Sequence, residues 1–177
     1  MEFSILYFIQ GLHSDILDKV MLMLTDIVGS YGYLWIAVGV VLCLFNKTRK
    51  CGFAVLLSYI LVFLIGQYAL KDVIARIRPC NIDDTVELLV SRPKSFSCPS
   101  THSAWSFGGA MVIWYYFRKA GIFATVFALI VGFSRLYLFV HFPTDVLLGF
   151  VLGAVCAFAS DKIINLIFKK IETAKKV

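Results

Sequence analysis

The sequence predicts an all-α, polytopic membrane bundle of five transmembrane helices, six if residues 1–26 also cross, with an N-terminal amphipathic helix lying on the interface in the five-span case. Three observations carry this. Apolar side chains make up 60% of the 177 residues and charged ones only 16%, too apolar a balance for a soluble domain of this size. Long apolar runs recur at 27–45, 52–70, 104–117, 120–140 and 146–160, and a spanning helix needs about 17–25 residues, fewer where polar flanks complete it. The cations, finally, segregate once the runs are threaded alternately.

Residues 1–26 differ from the later runs. Ile5, Ile9, Leu12, Ile16 and Val20 fall at helical spacing, but His13, Ser14, Asp15, Asp18 and Lys19 sit in mid-segment. Central charges make spanning costly, so the segment reads as an interfacial helix. No basic n-region precedes it, so no cleavable leader is expected. The whole chain reads as one domain, 1–177, with an extracytoplasmic loop at 80–98 and a basic cytoplasmic tail at 169–177.

The net charge of +6 does not point to nucleic acid, because the cations track membrane sides. Lys47, Arg49, Lys50, Arg118, Lys119, Lys162, Lys169, Lys170, Lys175 and Lys176 fall on one side, cytoplasmic by the positive-inside rule. The opposite side holds fewer cations and nearly every chemically capable residue near a boundary. Polar groups at membrane depth face a bundle interior or a watery cavity.

Three segments meet there. In "ALKDVIARIRPC", Lys71 and Arg78 are two helical turns apart and share a face if the helix continues to Pro79; snorkelling to headgroups is the alternative. Asp72 and Arg76, four apart, suit a modest surface ion pair. In "SCPSTHSAW", Ser100 is a good N-cap for the third span, whose N-terminus offers N–H groups suited to phosphate, with His102 in the first turn; plain capping and a bystander histidine are the alternatives. In "SRLYLFVHFPTDVLLG", Pro143 opens the fifth span, with His141 before it and Asp145 in its start. A carboxylate can hold one imidazole nitrogen protonated and free the other for attack; a structural His–Asp pair with Arg135 as headgroup anchor is the alternative.

Together the segments supply three cations, a helix N-terminus, two histidines and a carboxylate, the inventory of metal-free phosphoryl transfer. No zinc-type Cys/His spacing, HExxH, Walker loop or acidic cluster appears, so no metal or cofactor is expected.

In these residues the sequence resembles the type 2 phosphatidic acid phosphatase superfamily of membrane lipid phosphatases, related to acid phosphatases and vanadium haloperoxidases. The Lys-six residues-Arg-Pro motif corresponds to Lys71–Pro79. Pro-Ser-Gly-His corresponds to Pro99, Ser100, Thr101 and His102, with threonine in place of glycine. Ser-Arg-five residues-His-three residues-Asp corresponds to Ser134, Arg135, His141 and Asp145. The resemblance implies that His141 attacks phosphorus to give a phosphohistidine, oriented by Asp145, while His102 protonates the leaving oxygen. Lys71, Arg78, Ser100, Thr101 and Arg135 then hold the phosphoryl oxygens. Thr101 keeps its N–H but adds bulk, which touches pocket width more than chemistry.

Cys80 and Cys98 abut the first two motifs. If Arg78 and Ser100 grip one phosphate, the loop ends approach, and a Cys80–Cys98 disulfide closing the loop is expected, with two free thiols the alternative. Gly149 and Gly153 form a small-xxx-small pair assigned to helix packing.

The expected activity is hydrolysis of a lipid phosphate or diphosphate in the bilayer at the outer face of a cytoplasmic membrane. Candidate substrates are undecaprenyl diphosphate, phosphatidylglycerophosphate, phosphatidate, diacylglycerol diphosphate and lipid A phosphate. The alternatives are a lipid phosphotransferase using the same phosphohistidine and a non-enzymatic anion or lipid transporter with a basic vestibule. The sequence does not choose among the lipids or set an oligomeric state.

Overall fold

The structure, a computed structural model, describes residues 1–175 and contains no strand among them. Helices α1 (Glu2–Gln10) and α2 (Asp15–Val28) open the chain. After the turn at Gly29 and Gly32, both at positive φ, comes α3 (Tyr33–Leu44).

Next, α4 (Arg49–Val62) runs without interruption into a π-helical segment, Phe63–Leu70, and then into the single turn α5 (Lys71–Ile74). A second short turn, α6 (Pro79–Ile82), precedes a helix-free loop, after which α7 (Thr101–Tyr116), α8 (Arg118–Tyr137) and α9 (Pro143–Ala174) complete the bundle.

Three helical stretches are long and apolar enough to cross a membrane: Arg49–Ile82, Arg118–Tyr137 and Pro143–Ala174. The count rises to four if α2 and α3, bent by 52° at their junction, are taken as one broken span. Helix α7, with 16 residues, is short of full-span length but is the most enclosed, packing on α4, α8 and α9.

That packing is close because side chains are missing where backbones meet. A Cβ on Gly149 would lie 2.5 Å from the Ser100 carbonyl, and one on Gly153 would lie 2.4 Å from that of Ala104. The expected packing role of this pair follows directly, and it brings the N-termini of α7 and α9 side by side.

Several expectations are corrected. Residues 1–26 form two helices, and α2 lies against the start of α3 and against α8. Its mid-segment charge is satisfied internally: Asp18 pairs with His13 at 3.1 Å and accepts a hydrogen bond from the Tyr137 hydroxyl. The basic C-terminal segment continues α9 to Ala174; Lys176 and Val177 lie outside the described residues.

The helix carrying Lys71 stops at Ile74, where Ala75 turns left-handed (φ 47°). Pro79 then holds Arg78 extended (φ −71°, ψ 150°), because the ring of a proline excludes the α region for the residue before it. Lys71 and Arg78 therefore do not share a helical face.

Candidate active site

The ends of α5, α7 and α8, with the loop before α7 and the link before α9, surround a cavity of about 530 Å³ whose wall includes Lys71, Arg78, Thr101, His102, Arg135 and His141. Each arrives by a local device. Lys71 comes from the turn continuing the π-helical segment, whose wider winding also aims Gln67 at the cavity; π-type turns commonly mark functional positions. Arg135 is in the last turn of α8. His141 stands in the link to α9, where Phe139 adopts φ 57° to reverse the chain.

The three cations are each 4% exposed. Among the described residues none of them has a carboxylate within ion-pair distance.

Arg78 is fixed by neutral acceptors instead. Its Nε donates to the Ser95 carbonyl at 2.7 Å, Nη1 to the Val140 carbonyl at 2.8 Å, and Nη2 to the Phe96 carbonyl at 3.2 Å. Lys71 Nζ reaches Ser95 Oγ at 3.4 Å, and Arg135 donates to Ser134 and Thr25 hydroxyls. Burying a cation is costly unless an anion or strong acceptors compensate, so this wall is matched to a multiply charged anion.

Nε2 of His141 lies 3.1 Å from Arg78 Nη1, which places an acceptor lone pair there and the proton on Nδ1. Burial drives the pKa of His141 down to about 3, against an opposing pull from Asp145, so the imidazole is neutral and available as a nucleophile near neutral pH.

Behind it, the Asp145 arrangement differs from the expected direct pair. Nδ1 of His141 is 3.8 Å from Asp145 Oδ2, while the Ser97 hydroxyl lies 3.4 Å from Nδ1 and donates to Asp145 Oδ2 at 2.5 Å. Asp145 also accepts from the Phe142 N–H at 2.8 Å. His102 faces Trp105 edge-on at 6.0 Å, and its Nε2 is buried without a hydrogen-bond partner among the described residues. That leaves a free nitrogen at the cavity.

Ser100 and Thr101 have distinct places. Ser100 caps α7, with its hydroxyl 2.9 Å from Ser103 Oγ, and it is fully buried behind the cavity wall. Thr101 is on the wall, and its methyl packs towards Gly66, where an added Cβ would meet it at 3.3 Å. The threonine bulk is thus accommodated by a bare glycine on the π-helical segment.

Cys80 and Cys98 are both buried and both free, so the expected disulfide is absent. Arg92 donates to the Cys80 carbonyl, and Arg78 binds the loop carbonyls at Ser95 and Phe96. Arginine–carbonyl contacts therefore hold the loop ends without a covalent tie.

Helical spacing pairs Arg76 with Asp72. Instead its Nη1 donates to Asp145 Oδ1 at 2.8 Å and its Nη2 to Glu2 at 2.5 Å. Arg76, Ser97, Glu2 and Gln67 are the site residues that sequence reasoning missed.

The family model described as PAP2 superfamily matches residues 47–169. An undecaprenyl-diphosphatase from Sulfolobus acidocaldarius is 34% identical over 132 residues, covering 74% of this chain but 64% of that protein, just under two thirds of its length. Two crystal structures are similar. A transmembrane PAP2 type phosphatidylglycerolphosphate phosphatase from Bacillus subtilis has a TM-score of 0.73 and 29% identity, covering 93% of this chain and 84% of that one. LpxE from Aquifex aeolicus has a TM-score of 0.74 and 25% identity, covering 91% and 94%.

Proposed function

The chain belongs to the PAP2 superfamily, and from that premise we propose that it is an integral membrane phosphatase cleaving a phosphomonoester or diphosphate on a lipid. The observation that carries this reading is the convergence of Lys71, Arg78 and Arg135, buried and without carboxylate partners among the described residues, on a cavity that also presents His141 and His102. An anion-binding vestibule accounts for the cations. It does not account for two histidines, one with a nitrogen that has no partner among the described residues and the other with an aspartate behind it.

In the proposed mechanism the cations hold the phosphoryl oxygens and offset their developing charge, without calling on a metal. The backbone N–H of Thr101 stands at the N-terminus of α7, while that of Ser100 donates to the Asp145 carbonyl at 3.0 Å. Nε2 of His141 attacks phosphorus and the bond to the leaving oxygen breaks, with a proton from His102 passing to that oxygen. The proton on Nδ1 stays engaged with Ser97 and Asp145, so the cationic phosphohistidine is compensated by the carboxylate. Water, deprotonated by His102, then attacks phosphorus and releases phosphate and His141.

The cavity accommodates a headgroup, and the flanking helices carry outward apolar side chains suited to acyl or prenyl tails. We place the site on the extracytoplasmic side, with five crossings counted by including α7. In support, Lys50 meets Glu172 at 3.3 Å, which puts the basic start of α4 beside the basic end of α9, at the bundle end opposite the cavity.

The test is phosphate release in detergent micelles from undecaprenyl diphosphate, phosphatidylglycerophosphate, phosphatidate, diacylglycerol diphosphate and lipid A phosphate. Release from at least one supports the reading. Transfer to a lipid acceptor without free phosphate would make the chain a phosphotransferase, and no turnover on any would reject the reading.

A further inference from the structure

Helix α1 reaches the residues behind the site through the Glu2 carboxylate. Glu2 Oε2 accepts from Arg76 Nη2 at 2.5 Å, and Glu2 Oε1 accepts from the Thr144 N–H at 3.2 Å and the Thr144 hydroxyl at 2.7 Å. The same guanidinium donates through Nη1 to Thr144 Oγ1 at 2.6 Å and to Asp145 Oδ1 at 2.8 Å. It also lies over the Phe142 ring, 4.0 Å from its centre. Phe3, one residue beyond Glu2, packs edge-on against that ring at 5.2 Å. Glu2 is thus clamped from several sides, and burial, which alone would raise its pKa, is outweighed by the Thr144 and Arg76 contacts that hold it below the usual value.

The tether sets the charge balance around Asp145. Arg76 and Asp145 alone sum to zero, which would leave Asp145 a poor counter-ion for a cationic His141. Glu2 brings the group to a net single negative charge and draws part of the guanidinium's charge away from Asp145.

We infer that Glu2 is a positioning residue for the phosphoryl transfer: through Arg76 it fixes the orientation of Asp145 and preserves the negative charge that stabilises His141 when it becomes cationic. This rests on the proposed role of His141 and adds the N-terminal helix to the machinery. Glu2 touches neither the cavity nor the histidines, so its removal affects bond formation to His141 and leaves the phosphate clamp intact.

Two anions separate these effects. Orthovanadate forms a bond to a nitrogen nucleophile, whereas sulfate engages the cationic clamp alone. For purified full-length protein in detergent, Glu2→Gln is expected to weaken vanadate binding about tenfold, as for loss of one charge acting at short range. Sulfate affinity stays unchanged. In turnover with the fastest lipid of the panel, kcat falls by a similar factor with KM within about twofold, the pattern of an interaction made only in the transition state.

Equal vanadate affinity in wild type and Glu2→Gln, or parallel weakening of vanadate and sulfate, would overturn the inference. If wild type itself binds vanadate no better than sulfate, the failure lies with the role given to His141. Should Glu2→Gln not fold, Arg76→Lys, which keeps a cation but cannot reach both carboxylates, decides by the same comparison.

Discussion

His141 and Asp145 stand 3.8 Å apart, Nδ1 to Oδ2, with the Ser97 hydroxyl against both. The carboxylate therefore acts on the imidazole through a hydroxyl as well as through space. Ser97→Ala should lower kcat by about tenfold, the scale of one lost hydrogen bond to a charged group. Asp145→Asn should cost more, because it also removes the compensating charge. Steady-state phosphate release by the two variants checks the order; equal losses would mean that Ser97 and Asp145 work only as a unit.

His102 offers a nitrogen with no partner among the described residues, as a proton donor needs before substrate arrives. General acid catalysis contributes about 10²–10⁴-fold, and it matters most for a poor leaving group. His102→Gln should lose that factor on a lipid alkoxide but far less on an aryl phosphate, whose phenolate leaves unaided. Comparing the two substrates measures it.

Acid stability follows from the burial of His141. Its pKa in the folded chain, about 3, is below the unfolded value of about 6.5. Between these limits the unfolded chain binds the extra proton, so stability is fully present above about pH 6.5 and is lost as pH falls towards 3. Thermal denaturation from pH 7 to pH 4 should therefore show a smaller drop in Tm for His141→Gln than for wild type.

Cys98 is buried beside Asp145, and burial first, then that carboxylate, pushes its thiol up to about 11. Thiolates react and thiols do not. In the native protein Cys98 should resist iodoacetamide at pH 8 and become labelled on denaturation, and reducing agent should leave Tm unchanged. Mass mapping of labelled peptides reads both outcomes.

Much of the site was legible because its chemistry is written in short spacings. Lys71, Arg78, His102, Arg135 and His141 line one cavity, although Lys71 and Arg78 reach it by a backbone break at Ala75 and not by a shared helical face. Arg76 was misread for the same reason: a helix through residue 78 would set it against Asp72, whereas the break swings it to Asp145. Glu2 and Ser97 bear on Asp145 from 143 and 48 positions away in sequence, and no local pattern reports such contacts.

The N-terminal helices were mistaken for one because helical spacing continues across Gly11–Ser14, while the break depends on tertiary partners. Asp18, costly in isolation, is satisfied by His13 and Tyr137. Conversely, the glycines of α9 were read as packing positions from spacing alone, since close helix approach demands small residues whatever the partner. The length of α9 was not legible, because its last turns are polar and helical beyond the apolar run.

The central claim is that His141 is the nucleophile, and phosphate release by purified, folded His141→Ala tests it most directly, measured beside wild type on the lipid the latter hydrolyses fastest. The account predicts a loss of at least about 10³-fold, as for removal of a covalent catalyst, with sulfate binding at the cationic clamp retained. Hydrolysis at the wild-type rate by that variant would contradict it.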